Sequence, residues 1–288
     1  MKLLGLLLVI GCTIGGFLWA GGHLAPILKA APYEITIILG CAIGAFLIAN
    51  SMHTVKATIK GLNCYLKPEA HNKESYLELL SVMYMIFKLA RTKGWLALES
   101  HIENPHDSEM FKQFPNFHHD HHATTFICDY LRIISLGSEN PHELEALIDM
   151  EIETIQADKM HPAHAVQSMA DGIPALGIVA AVLGIIKTMG SITEPPEILG
   201  KMIGGALVGT FLGVWLAYGF IGPTAGALAT KGESQVMYYK VMKVCLLAFL
   251  NGAAPQVAVE FGRKFLPHDV QPDFLELEEK LNALPAPG

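Results

Sequence analysis

Aromatic residues are scarce in this chain of 288 residues, at 8%, and charged residues make up only 16%, while apolar residues reach 51%. With a positive mean hydropathy, that leaves a membrane protein or an unusually apolar soluble one. The formal net charge of -7 argues against nucleic acid as a partner. Five cysteines make no disulfide framework. Cys12 and Cys41 fall inside apolar runs, and Cys64, Cys128 and Cys245 fall on what reads as the reducing side, so free thiols are expected. A further lack concerns residues 173–186 and 203–221, two long apolar runs without a single Asp, Glu, His, Lys or Arg. An ion path through a bilayer needs an ionisable or oxygen-rich group at depth. These two runs do not supply one alone.

What is present comes in blocks. Apolar runs at 3–20 and 35–49 precede a mixed, charged stretch from 51 to 167, and the runs 173–186 and 203–221 follow. Segments of about 20 residues cross a bilayer at about 1.5 Å per residue. The expected fold is therefore all-α: an integral membrane protein with four transmembrane helices and a helical cytoplasmic domain. Its expected divisions are transmembrane helices 1 and 2 in 1–50, the cytoplasmic loop domain in 51–167, helices 3 and 4 in 168–223, and cytoplasmic C-terminal helices in 224–288. Lys2, Lys56, Lys60 and Lys231 lie close to span ends on one side, which places both termini and the large loop in the cytoplasm. Lys2 ahead of an apolar core, with Val9-Ile-Gly-Cys12, has the outline of a signal peptide. The run continues through Phe17, Leu18 and Trp19, and cleavage would leave an odd number of spans, so the first helix is expected to be retained.

The second pair of spans is patterned for close packing. Gly205, Gly209, Gly213 and Ala217 recur every four residues on one, and Ala180, Gly184 and Thr188 on the other, beside Gly177 and Ala181. Small residues at that spacing let helix backbones approach. Thr210 carries a hydroxyl whose ordinary use is a back-bond to the carbonyl four residues earlier. Asp171 lies a turn outside the first run. Pro174 and Pro223 free the carbonyls of Ala170 and Gly219, and read either as helix-end punctuation or as a matched pair of flexible points.

In the large loop, apolar residues recur at helical spacing over 76–98 and 125–155, and Pro68, Pro105, Pro115, Pro141 and Pro162 divide it into several helices. Lys88, Arg91, Trp95 and Glu99 would share one helix face, which by itself is a surface salt-bridge face of little energetic weight. His118, His119, Asp120, His121 and His122 offer metal-ligand chemistry but lack the paired spacing of a defined site, so no metal and no cofactor is expected.

Three stretches, Ala170-Asp-Gly-Ile-Pro-Ala-Leu-Gly-Ile-Val-Ala-Ala-Val-Leu-Gly184, Val208-Gly-Thr-Phe-Leu-Gly-Val-Trp-Leu-Ala-Tyr-Gly-Phe-Ile-Gly-Pro223 and Ala258-Val-Glu-Phe-Gly-Arg-Lys264, closely resemble the A subunit of the bacterial flagellar motor stator, the MotA/PomA family. The resemblance covers essentially the whole chain. It implies a non-enzymatic subunit of the inner membrane that forms a ring, a pentamer, around B subunits of the MotB kind. Each B subunit would supply the ion-binding aspartate, and the assembly would convert ion-motive force into torque on the flagellum. It further implies coupling roles for Pro174 and Pro223, and contact of Arg91 and Glu99, with Lys88 beside them, with a rotor switch protein of the FliG kind. Sodium-driven relatives carry Thr at the position of Ala181, which lacks that oxygen here, so protons are the expected ion. Thr210 is common to both types, and the histidine tract has no counterpart in the resemblance. The competing expectations are an energiser of the ExbB/TolQ kind and a membrane-tethered metal hydrolase built on the histidine tract.

Overall fold

The computed structural model describes residues 2–63, 71–138 and 140–285. Cys64, Pro68 and the last residues of the tail, for which expectations were given above, lie outside them. The described chain is helical throughout, and four of its helices are long and apolar enough to cross a membrane. The all-α membrane architecture is thus the one observed. The chain divides into two compact units, one of Met1–Pro68 with Met160–Thr230 and the other of Glu69–Lys159 with Lys231–Gly288. Residues 51–63, 160–167 and 224–230 therefore cluster with the spans.

In chain order, the helices are α1 (Lys2–Trp19), α2 (Ala25–Ala49), α3 (Met52–Asn63), α4 (Lys73–Lys93), α5 (Glu99–Glu103), α6 (Glu109–Lys112), α7 (Pro115–His118), α8 (His121–Ser135), α9 (Pro141–Met189), α10 (Pro196–Leu216), α11 (Gly222–Leu250), α12 (Pro255–Phe265) and α13 (Phe274–Asn282). A 3-10 turn covers Trp95–Leu98, and a π-helical turn, Ala217–Ile221, joins α10 to α11. Helix α9 has 49 residues and continues across Pro162 and Pro174.

In the membrane unit, Ile38 and Ala42 of α2, Ile173 and Ala180 of α9, and Val208 and Leu212 of α10 form the buried cluster. The outward residues of α1, such as Leu4, Leu7 and Leu8, remain exposed, as a lipid-facing surface requires. One polar contact fastens α1 to α10: the Trp215 indole Nε1 donates to Thr13 Oγ1 at 3.1 Å.

The second unit is built on α4. From Leu79 to Phe87 every residue of that helix is buried, the sign of a helix surrounded by others. Asn72 caps its first turn by accepting from the Ser75 amide at 2.9 Å. Helix α12 lies so close that a Cβ on Gly262 would overlap Cys245 Sγ and stand 3.0 Å from Leu80. Lys243 Nζ donates to both Asp149 oxygens at 2.7 Å. That bond gives part of the acidic stretch of α9 an internal partner.

Three local expectations change. The stretch 76–98 is not one helix, because α4 ends at Gly94, whose φ of 81 and ψ of 169 are open almost only to glycine. The stretch 125–155 divides ahead of Pro141 as expected, but Pro162 does not divide the chain, since α9 continues across it. Pro174 and Pro223 do not punctuate helix ends, since each lies within a continuing helix.

Candidate functional site

The α9/α10 seam positions the intramembrane candidates. A Cβ on Gly177 would stand 2.8 Å from the Gly209 carbonyl oxygen and 3.0 Å from the Gly213 Cα. A Cβ on Gly184 would stand 2.8 Å from the Ala206 Cβ. Backbones this close exclude any larger residue. Gly177, Gly184, Gly209 and Gly213 therefore lie in the seam, whereas a Cβ on Gly205 meets nothing within 4 Å among the described residues. The repeat drifts because 3.6 residues per turn does not hold a four-residue spacing on one line, and Ala206 takes the contact opposite Gly184.

Ala181 is buried, and its amide nitrogen lies 3.1 Å from the Gly209 Cβ position. Thr210 is half-buried. The back-bond expected of it is absent among the described residues, whereas Thr188 does bond the Gly184 carbonyl at 2.9 Å. Asp171 is exposed and accepts from Gln167 Nε2 at 2.8 Å. It is a helix-surface group a turn from the seam.

The prolines occupy different local settings. Pro174 is half-buried inside α9, beside Ile173, whose carbonyl lies 3.1 Å from the Gly213 Cβ position. Pro223 is exposed in the first turn of α11. Just before it, the Gly222 amide bonds back to the Ala217 carbonyl, five residues earlier, in the π turn. Such a turn places one extra residue in the helix and leaves a weak point in its hydrogen-bond ladder.

One carboxyl was missed by the sequence reading. Counting the second span from Ile35 left out Glu34, but α2 begins ten residues earlier, at Ala25, and Glu34 is buried within it. The available signal was a lone acidic residue directly abutting an apolar run, after Pro32.

In the other unit, Lys88, Arg91 and Glu99 do not share one helix, because Gly94 and the 3-10 turn intervene. Arg91 and Glu99 are exposed, and among the described residues they form no ion pair with each other or with Lys88. Arg91 Nη1 donates to the Ala253 carbonyl at 3.2 Å, and Lys88 Nζ lies 5.5 Å from the Tyr84 ring centroid. The turn is itself anchored, with Trp95 edge-on to Phe249 at 5.7 Å. Arg91 and Glu99 are thus presented by separate, fixed elements.

The histidine tract forms a helix junction. Asp120 caps α8 by accepting from the Ala123 amide at 3.1 Å, and His119 Nδ1 lies 2.6 Å from the Pro115 carbonyl. His71 stacks on Tyr238 with centroids 4.0 Å apart, 3.9 Å from Asp120 Oδ2, and burial holds its imidazole below the usual value. No group of three or more His, Cys, Asp or Glu is disposed to hold a metal among the described residues. Cys12, Cys41, Cys128 and Cys245 are free thiols, and burial pushes Cys128 up to about 12, so it is no nucleophile.

The fold and the glycine seam define a membrane protein of tightly packed helices with a separate helical unit. Comparisons with known proteins narrow this class. The model of the motility protein A N-terminal family matches residues 3–94, and that of the MotA/TolQ/ExbB proton channel family matches residues 118–241. The chain is 42% identical to motility protein A of Salmonella typhimurium over 286 residues, covering 99% of this chain and 96% of that one. It is 35% identical to chemotaxis protein LafT of Vibrio parahaemolyticus, covering 97% and 98%. Its fold matches the flagellar MotAB stator complex of Bacillus subtilis with a TM-score of 0.72 and 25% identity, over 92% of this chain and 95% of that one. The chain belongs to the motility protein A family and is a membrane subunit of the flagellar motor stator.

Proposed function

We propose that the chain forms, with a B subunit of the MotB kind, a proton channel in the bacterial inner membrane, and that ion flow through it drives torque on a FliG-like switch protein of the rotor. The full-length likeness to motility protein A carries this reading. It is supported by the apolar hairpin runs 173–186 and 203–221, which hold no carboxylate and leave the ion-binding aspartate to the B subunit's helix. Ala181 offers no side-chain oxygen where a hard cation such as sodium would use one, which favours protons. Copies of the chain form a ring, a pentamer, around the B subunits. Both termini and the loop 51–167 face the cytoplasm, in keeping with the lysines at the span ends. Arg91, Glu99 and Lys88 meet the rotor there. Pro174 and Pro223, with Thr210, Ala181 and Asp171 along the α9/α10 hairpin, couple ion passage to helix movement. The work is mechanical, and no catalytic residue is assigned.

Complementation of a non-motile stator mutant, with the cognate B subunit supplied, tests the reading. Swimming that is abolished by a protonophore and indifferent to sodium is expected. Swimming that tracks sodium and ignores the protonophore overturns the proton assignment, and failure with every cognate partner overturns the stator role.

A further inference from the structure

The seam between α9 and α10 receives a carboxyl group from α2. Glu34 is only 7% exposed, and its Oε2 is buried without a hydrogen-bond partner among the described residues. Oε2 lies 2.6 Å from where a Gly209 Cβ would sit, and Oε1 lies 3.8 Å from the corresponding point on Gly184. The two glycines form the hole that the carboxyl fills, and a side chain on Gly209 would displace it.

Among the described residues, no charge or donor offsets this burial. Thr36 bonds the Pro32 carbonyl at 2.7 Å and Thr188 the Gly184 carbonyl at 2.9 Å, and neither Tyr33, beside Glu34, nor Thr210, beside Gly209, gives Oε2 a hydrogen bond. Asp171 and Lys187 on α9, Glu197 and Lys201 on α10, and Lys29 on α2 are exposed, and none pairs with Glu34 among the described residues. An ionised carboxylate at such a place costs several kcal/mol, and one bound proton removes the charge. A hard cation would need several further oxygen ligands, which a seam of glycine and alanine does not offer. Pro32, two residues before Glu34, has no amide hydrogen and opens the Leu28 carbonyl. Helix α2 is therefore weakest half a turn from the buried acid.

We propose that Glu34 is an intramembrane proton-binding site contributed by this subunit, loaded while α2 packs on the α9/α10 seam and unloaded when bending at Pro32 brings the carboxyl to water. Loading places a proton on one carboxylate oxygen. Unloading breaks that O–H bond and leaves a carboxylate and a hydronium ion. The site rests on the proton-channel reading and is additional to the aspartate of the B subunit.

Infrared spectra of the chain reconstituted in lipid with its B subunit test the loaded state. A neutral-acid C=O band that disappears in Glu34→Gln and shifts in Gly209→Ala is expected. In a motile host, Glu34→Gln is expected to swim several-fold more slowly, with a flatter dependence on external pH at constant membrane voltage, and Glu34→Asp to recover part of the speed. A spectrum unchanged by Glu34→Gln overturns the site. So does a normally assembled Glu34→Gln ring whose speed follows the wild-type pH curve. Wild-type speed that rises with sodium at constant pH, and ceases to do so in Glu34→Gln, overturns the proton in favour of sodium. If the wild-type chain does not swim at all, the stator reading fails instead, and the infrared measurement still decides Glu34.

Discussion

A methyl group on Gly213 would stand 2.8 Å from the Cα of Gly177, backbone against backbone. Neither atom belongs to a side chain that could rotate away, so relief requires the helices to part. Overpacking of this kind costs about 1–3 kcal/mol. Gly213→Ala is expected to lower the thermal stability of the detergent-solubilised chain and to reduce swimming. Gly205→Ala, whose added Cβ meets nothing within 4 Å, is expected to leave the stability of the isolated chain unchanged or slightly raised. Equal melting temperatures for the two variants would contradict this packing register.

Pro174 is flanked by the same contact, through Ile173. Replacing it with Ala restores an amide that can bond the Ala170 carbonyl and straightens α9 at that point. The change adds no bulk, so ring assembly with the B subunit should persist while torque falls. Ring formation measured by size-exclusion chromatography and rotation of tethered cells separate the two effects. A Pro174→Ala motor turning at normal speed would remove Pro174 from the coupling path.

His71 gives the helical unit a pH dependence. Burial lowers its pKa from 6.5, Asp120 opposes that shift and Lys159 adds to it. The unfolded chain therefore binds the proton more readily than the folded one below 6.5. The stability from the neutral, Tyr238-stacked imidazole is fully present above that pH and is lost as pH falls through the lower folded value. The loss reaches at most about 1.4 kcal/mol per pH unit within that window. Thermal melts of His71→Gln should fall less steeply with acidification than those of the wild type. Parallel curves would show that other groups set the acid limit.

The sequence was most legible where periodicity and apolar length coincide. The four spans and the close approach of Gly177, Gly184, Gly209 and Gly213 follow from spacing alone. Less legible was whatever depends on a single residue's backbone state or on a span's starting point. Lys88, Arg91 and Glu99 fit one helical wheel, and a wheel cannot register that Gly94 leaves the helix at φ 81. Pro223 looked terminal because periodicity carries no trace of a π turn. Glu34 was hidden because hydropathy begins a span at its first apolar run, whereas α2 begins at Ala25. The partner that buries Glu34 comes from glycines about 150 residues or more further along, a pairing that only the fold makes.

Gly94 supplies the last test, because it fixes the angle between Arg91 and Glu99. Its φ of 81 and ψ of 169 lie in a region that strains any L side chain by about 1–3 kcal/mol. Nothing lies within 4 Å of the position a Cβ would take, so the penalty of Gly94→Ala is conformational rather than steric. The core beneath, with Phe87 stacked on Phe249 at 4.4 Å, should hold α4 in place. The strain is then relieved by moving the 3-10 turn, and Glu99 moves with it. If Arg91 and Glu99 together form the rotor face, Gly94→Ala should lower torque at high load while the ring still assembles and conducts protons. Proton flux into vesicles and stall torque on tethered cells measure the two separately. Unchanged torque in a variant whose melting temperature has fallen would show that torque does not depend on the angle Gly94 sets between Arg91 and Glu99.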